Sequence, residues 1–316
     1  MCRHLAYLGP PASLQSLLID PPHSLYRQAW APRRQRHGTV NADGFGIGWY
    51  AGSDPVPARY RRGEPIWGDP SLPDVARVTS SGAVLAAVRS ATPGTATGPE
   101  AAAPFGCGPW LFSHNGAALG WRDWGEAAYR SWADPARRPR DGDVTAWPGT
   151  PSSGGPPAGA SSAGGPWSLL SCLEALTDAA LLWALTLQRL RAGLPLDAAL
   201  AGTVGAVEAA GGTGRLNLLL TDGRSVAATA YGDTLWYRQT KATPSGGGAV
   251  SVTVASEPDD DGPGWTEVPD RHVLSATRSQ VRVWWLSDLP ATDDRSAVQA
   301  TDHVSTQATT SAPKGS

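Results

Sequence analysis

Five residues of this 316-residue chain are of types that could do chemistry together: Cys2, Arg89, the pair Asn115-Gly116, and Asp178. Cys2 comes first. Once Met1 is removed, which a small second residue permits, it carries both a thiol with an ordinary pKa of about 8.5 and an α-amine of about 8, so nucleophile and base sit on one residue. Position alone favours an incidental residue near a ragged terminus. Arg89 closes the apolar run Ala83–Ala91 ahead of the turn Thr92-Pro93-Gly94. A guanidinium there suits a structural salt bridge or a bidentate hold on a carboxylate ligand. Asn115-Gly116 ends the run that starts at Trp110 and reads either as a turn or as a side-chain amide and a backbone N–H brought to one point, the donor pair an oxyanion needs. Asp178 falls near a helix start with Thr177 as its cap, where a carboxylate is ordinary.

Elements must hold these residues in place. His4–Leu8 reads as a buried strand that ties Cys2 to the core, followed by helical spacing over Ser13–Ile19. Arg33–His37 is a basic loop. In Asn41–Tyr50 glycines alternate with large apolar residues, so one face of that strand is bare backbone; without a following helix and the full spacing it is not a dinucleotide fingerprint. Pro57–Trp67 is expected to return beside it, and Leu72–Ser80 to form a short helix or turn. From Trp121 to Trp147 the pattern is mixed, and Pro148–Pro166 is almost wholly Pro, Gly, Ser, Thr and Ala, a surface excursion with too little apolar area to offset its ordering entropy. Helices are expected over Ser168–Leu190 and Leu196–Ala210, the second stopped by Gly211-Gly212. The strand runs Arg215–Leu220, Ser225–Tyr231, Leu235–Gln239, Ala249–Ser256 and two more through Leu286 read as an antiparallel meander. After Asp288 apolar residues nearly vanish, which predicts a disordered tail.

Composition narrows the partners. A net charge of −2 provides no basic field for nucleic acid, and 41% hydrophobic content suffices for a substantial core. Cys2, Cys107 and Cys172 form neither an even disulfide set nor a CxxC metal pair, which favours a reducing compartment. With no run of eighteen apolar residues and no basic-then-apolar leader, the expectation is a cytoplasmic protein without a membrane partner.

The motifs Cys2-Arg3-His4-Leu5-Ala6-Tyr7-Leu8-Gly9, Asn41-Ala42-Asp43-Gly44-Phe45-Gly46-Ile47-Gly48-Trp49-Tyr50, Val88-Arg89-Ser90-Ala91-Thr92-Pro93-Gly94, Ser113-His114-Asn115-Gly116 and Ala255-Ser256-Glu257-Pro258 occur in that order. Together they resemble the class II glutamine amidotransferases of the N-terminal-nucleophile (Ntn) hydrolase superfamily, most closely the γ-glutamyl hydrolases of ergothioneine biosynthesis. The resemblance implies an α+β fold, a four-layer αββα sandwich of antiparallel sheets, over residues 1–287, with a Pro/Gly/Ser-rich insertion at about 121–166 and a tail over 288–316. It implies hydrolysis of a γ-glutamyl amide on a hercynyl-cysteine sulfoxide conjugate through a thioester on Cys2. Asn115 and Gly116 would be the oxyanion donors, Arg89 and Thr92 would hold the substrate α-carboxylate, and Asp178 its α-ammonium. It implies no cofactor and no metal, and a small-molecule γ-glutamyl substrate. A glutaminase subunit feeding ammonia to a separate synthetase, a pathway-enzyme partner, a homo-oligomer, and a non-catalytic binding protein on the same fold stay open. Two departures are visible: Pro93 stands where relatives usually have histidine, and Ala179-Ala180 where Ser-Glu is common.

Overall fold

The computed structural model describes residues 2–52, 54–92, 94–133, 173–240 and 250–288. In chain order its strands are β1 (Arg3–Ser13), β2 (Phe45–Trp49), β3 (Ala58–Arg62), β4 (Ser80–Val88), β5 (Phe105–Cys107), β6 (Trp110–Leu119), β7 (Thr213–Thr221), β8 (Val226–Ala230), β9 (Trp236–Thr240), β10 (Ser251–Ala255), β11 (Trp265–Glu267), β12 (His272–Ala276) and β13 (Val281–Trp285). The helices are α1 (Leu14–Leu18), α2 (Leu25–Gln28), α3 (Leu72–Val78), α4 (Trp121–Ala133), α5 (Asp178–Arg191) and α6 (Leu196–Ala209).

The strands form two antiparallel sheets, ordered β11-β9-β10-β1-β4-β2-β3 and β13-β12-β8-β7-β6-β5. Their faces explain the stacking. In β1, Leu5 and Tyr7 point to one side and join Leu14, Leu25 and Leu72 under α1–α3, while Ala6 and Leu8 point to the other and meet Leu111 and Leu219 of the second sheet. The strand period of two therefore buries both faces of β1 at once. On β7, Leu216, Leu218 and Leu220 instead pack under α4–α6, with Phe112 and Trp183 stacked at 5.5 Å between ring centroids. The result is the expected four layers, helices outside two sheets.

Three expectations give way here. Asn115-Gly116 is not a turn: β6 runs through both to Leu119, paired along its length with β7, so that Asn115 faces Asn217 and Gly116 faces Leu216. The C-terminal strands are not a meander. β8, β12 and β13 belong to one sheet and β9, β10 and β11 to the other, because the chain crosses between sheets after Ala230 and again after Glu267. Residues 121–133, read as the beginning of an insertion, are instead the helix α4, whose Trp124 and Ala128 are core residues. Gly125 lies so close to Leu181 of α5 that a Cβ there would sit 2.7 Å from its Cδ2, which explains a helix-breaking residue type inside this helix. The Pro/Gly/Ser-rich stretch 148–166 and the expected tail lie outside the described residues.

The candidate active site

Cys2 precedes β1, a central strand flanked by β4 and β10, so the chemistry-bearing end of the chain is fixed by pairing on both sides: Arg3 opposite Val88, Leu5 opposite Ala255. The thiol is half-buried, with Sγ 3.9 Å from the Ser90 carbonyl oxygen. A cleft of about 450 Å³ opens beside it, and Cys2, Arg89, Thr92, Gly116 and Asp178 all line it, together with His114. The first sheet brings the thiol and the cation, the second brings Gly116 and His114, and the N-terminus of α5 brings the carboxylate.

Arg89 is buried where β4 ends, and its guanidinium donates to the Asp43 carbonyl (3.3 Å), Thr95 Oγ1 (3.1 Å) and the Ala96 carbonyl (2.8 Å). None of these partners is anionic, so the pocket presents a fixed, uncompensated positive charge, the geometry that suits a carboxylate ligand. The structural salt bridge considered from the sequence does not form among the described residues. Asp43 positions this corner twice over: its N–H donates to the Arg89 carbonyl (2.9 Å) and its Oδ2 accepts from Ala91 N–H (2.7 Å).

Asp178 is the first residue of α5, after Thr177, whose hydroxyl accepts from Ala180 N–H at 3.1 Å, as the capping pattern predicts. Its Oδ2 accepts from Ala118 N–H and its Oδ1 from its neighbour Ala179 N–H, both at 2.9 Å. The negative charge is thus held at the rim by backbone donors, with His114 Nδ1 3.9 Å from Oδ2. His114 Nε2 lies 2.9 Å from the Arg215 carbonyl, which assigns its hydrogen to that nitrogen. Gly116 has no room for a side chain, since a Cβ would collide with the Arg215 carbonyl.

Asn115 is placed differently from the other predicted residues. It is fully buried and does not line the cleft; its Nδ2 donates to Ser256 Oγ (3.2 Å), while Oδ1 has no partner. Ser256 Oγ also accepts from His4 N–H (3.0 Å), which joins Asn115 to the backbone two residues beyond Cys2. Thr95, His114 and Ser256 are the residues to which the sequence reading gave no role. His114 and Ser256 sit inside the quoted motifs, which was the available signal; Thr95 had none.

His4, on β1, is wholly buried, and burial, with lesser contributions from His114 and Arg3, pushes its pKa down to about 3. The folded protein therefore keeps it neutral, while the unfolded chain binds a proton near the ordinary 6.5. Between those values the unfolded state holds more protons, so stability from this group is full above pH 6.5 and is lost as pH falls. Wild type is expected to lose denaturant stability more steeply than His4→Gln on going from pH 6.5 toward 4; parallel curves would contradict this. Among the described residues no group of three or more His, Cys, Asp or Glu side chains is placed to hold a metal ion, and no helix is long and apolar enough to cross a membrane.

No protein-family model matches the chain. It is 38% identical over 283 residues to the γ-glutamyl-hercynylcysteine sulfoxide hydrolase of Mycolicibacterium smegmatis, covering 90% of this chain and 99% of that protein. The enzyme of the same name from Mycobacterium tuberculosis is 37% identical over 89% of this chain and 95% of its own length. The chain belongs to the γ-glutamyl-hercynylcysteine sulfoxide hydrolase family. Among solved structures, a glutamine aminotransferase class-II domain protein from Silicibacter pomeroyi superimposes with a TM-score of 0.54 at 22% identity, over 92% of this chain and all of that one. A glutamine phosphoribosylpyrophosphate amidotransferase from B. subtilis does so at 0.52 and 14%, over 91% of this chain and half of that one. These likenesses identify the family's αββα sandwich here as the Ntn-hydrolase fold.

Proposed function

We propose that this chain hydrolyses the γ-glutamyl amide bond of γ-glutamyl-hercynylcysteine sulfoxide, with Cys2 as nucleophile. The reading rests on the cleft that gathers Cys2, an unpaired Arg89 and Asp178 in a chain of this family. The γ-glutamyl head is a zwitterion: its α-carboxylate is assigned to Arg89 with Thr92 beside it, and its α-ammonium to Asp178. Opposite charges at two ends of the cleft select a free glutamyl head over a peptide whose α-groups are tied up in amide bonds. The Cys2 thiolate adds to the γ-carbonyl, and the carbonyl electrons move onto oxygen, where Asn115 and Gly116 donate. Collapse breaks the C–N bond, and the proton taken from the thiol by the α-amine goes to the departing amine. Water, deprotonated by the same amine, then cleaves the thioester to glutamate and the free thiol.

Purified protein incubated with the conjugate is expected to release glutamate and the intact sulfoxide amine in equal amounts, read by mass spectrometry. Turnover of free glutamine with none of the conjugate would replace this reading with a glutaminase. Asp178→Asn keeps the shape and removes the charge; losing one charge-assisted contact of about 1.5–3 kcal/mol predicts a KM roughly ten- to a hundredfold higher with kcat little changed. An unchanged KM would remove Asp178 from the ammonium site.

A further inference from the structure

The bare glycine face of β2 is occupied. Phe45 and Ile47 point into the core under α1–α3, so Gly46 and Gly48 between and beyond them turn toward the second sheet. A Cβ at Gly46 would collide with the Ala103 carbonyl, and one at Gly48 would sit 3.0 Å from the Pro104 ring. The segment 101–105 therefore lies directly on the backbone of the first sheet. On β3, Arg61 pairs opposite Gly46 and Arg59 opposite Gly48, which puts both arginines on that same face, while Tyr60 packs on the other. Arg61 donates to the Glu100 and Ala102 carbonyls, both at 3.4 Å, and so holds the segment down.

Both cations converge on one carboxylate. Glu174 Oε2 lies 3.0 Å from Nη1 of Arg59 and 3.0 Å from Nη1 of Arg61, and Oε1 accepts from the Gly106 N–H of β5 at 3.0 Å. Among the described residues β3 is the edge strand of the first sheet and β5 the edge strand of the second, so one side chain ties two sheet edges together. The pair is largely shielded: the Glu174 side chain is 23% exposed and that of Arg61 18%. From Glu174 the chain reaches the site in four residues. Thr177 N–H donates to the Ala175 carbonyl (2.9 Å), Thr177 caps α5, and Asp178 follows. The cleft is lined by Ala101, Ala103 and Phe105 from the segment laid on β2, and by Thr177, Asp178 and Ala179 from the start of α5. Glu174 joins the two, since its bonds hold the first group in place and its backbone leads into the second.

We propose that Glu174 is a positioning residue for the γ-glutamyl head: through Arg59, Arg61 and the Gly106 N–H it fixes how far the start of α5 stands from the wall at 101–105, and so sets Asp178 where it meets the substrate α-ammonium. The inference rests on the function proposed above. Glu174 touches no substrate and acts through Asp178. Without its charge the two guanidinium groups face each other with no anion between them, and the link is loosened at the point where Asp178 is anchored.

The test is a double-mutant cycle of Glu174→Gln and Asp178→Asn in the full chain, read as KM and kcat for the conjugate. Glu174→Gln alone is expected to raise KM about fivefold with kcat within about twofold, and Glu174→Asp, which keeps the charge, to recover part of the loss. In the Asp178→Asn background the same substitution is expected to change KM by less than about twofold, because the group it positions no longer carries a charge. Arg59→Gln, which removes one arm and leaves Glu174 paired with Arg61, runs through the same cycle with the same expected coupling and covers the case in which Glu174→Gln does not fold. A staple that only stabilises the fold would lower the denaturation midpoint in both backgrounds and leave KM alone. That result overturns the positioning role, as does a KM effect that persists undiminished without the Asp178 charge; either leaves the hydrolase reading intact. L-Glutamate binding by calorimetry on the same proteins gives the cycle without turnover. Wild type that binds glutamate and leaves the conjugate uncut therefore refutes the hydrolase reading, while the cycle still decides on Glu174.

Discussion

Cys2→Ala is expected to abolish hydrolysis, with a fall of at least about a thousandfold in kcat, while the γ-glutamyl substrate still binds. The size follows from what one residue is asked to do. Attack, proton pick-up from the thiol, proton delivery to the departing amine and activation of water are all assigned to Cys2, so no neighbouring side chain can substitute. His114, the imidazole in the cleft, is already committed to the Arg215 carbonyl and faces Asp178. His4, two residues along the chain from Cys2, is neutral and enclosed. The same argument makes the amine as necessary as the thiol. While Met1 remains, the Cys2 nitrogen is an amide with no basic lone pair, so active protein is expected to lack Met1 by intact mass, and a γ-glutamyl electrophile is expected to add at Cys2 of that species. Fully active material that retains Met1, or turnover by Cys2→Ala, would end the N-terminal mechanism.

Asn115→Ala is expected to cost about 3 kcal/mol of transition-state stabilisation, on the order of a hundredfold in kcat with KM nearly unchanged. The observed contacts shape this expectation. Asn115 spends its amide N–H on Ser256 Oγ and leaves its own oxygen buried and unpaired, an arrangement that costs about 1–3 kcal/mol. Turning the amide by half a rotation lets the Ser256 hydroxyl donate to the Asn115 oxygen while still accepting from His4 N–H, and frees the NH2 group to serve an oxyanion. Ser256→Ala should therefore lower kcat by a smaller factor, about tenfold, through loss of amide orientation. If Asn115→Ala matches wild type in single-turnover acylation, the oxyanion donors lie elsewhere.

Most elements were legible because their periodicity is strong. β1 alternates between two apolar faces, and the cap at Thr177 announces α5 together with the position of Asp178. What escaped the sequence has physical causes. Alternation says that a strand has two faces but not which sheet it joins, so the crossovers after Ala230 and Glu267 were invisible and β8 to β13 read as one meander. Asn-Gly is favoured in turns, yet here the second sheet pairs straight through it, because a glycine is needed where Arg215 approaches. α4 carries Gly125 and several charges, so its helical face showed only once Leu181 was seen against it. Cys2, Arg89 and Asp178, each of which has an ordinary reading at its own position, were singled out by the order of the motifs around them, and all three line one cleft. Thr95 acts only as a neighbour of Arg89, and Ser256 only as a neighbour of Asn115 and His4, and such adjacency belongs to the fold.

The pairing of β1 also carries a consequence for timing. Its partners are β4, some eighty residues downstream, and β10, about two hundred and fifty downstream. At a ribosomal pace of about 5–20 residues per second, the second partner leaves the ribosome roughly ten to fifty seconds after the N-terminus does. Until then the strand that carries Cys2 cannot be locked into the centre of its sheet, and its first peptide bond stays open to an aminopeptidase. Cys2, half-buried just ahead of that strand in the finished fold, is thus reachable during synthesis because one of the strand's two partners comes from the far end of the chain.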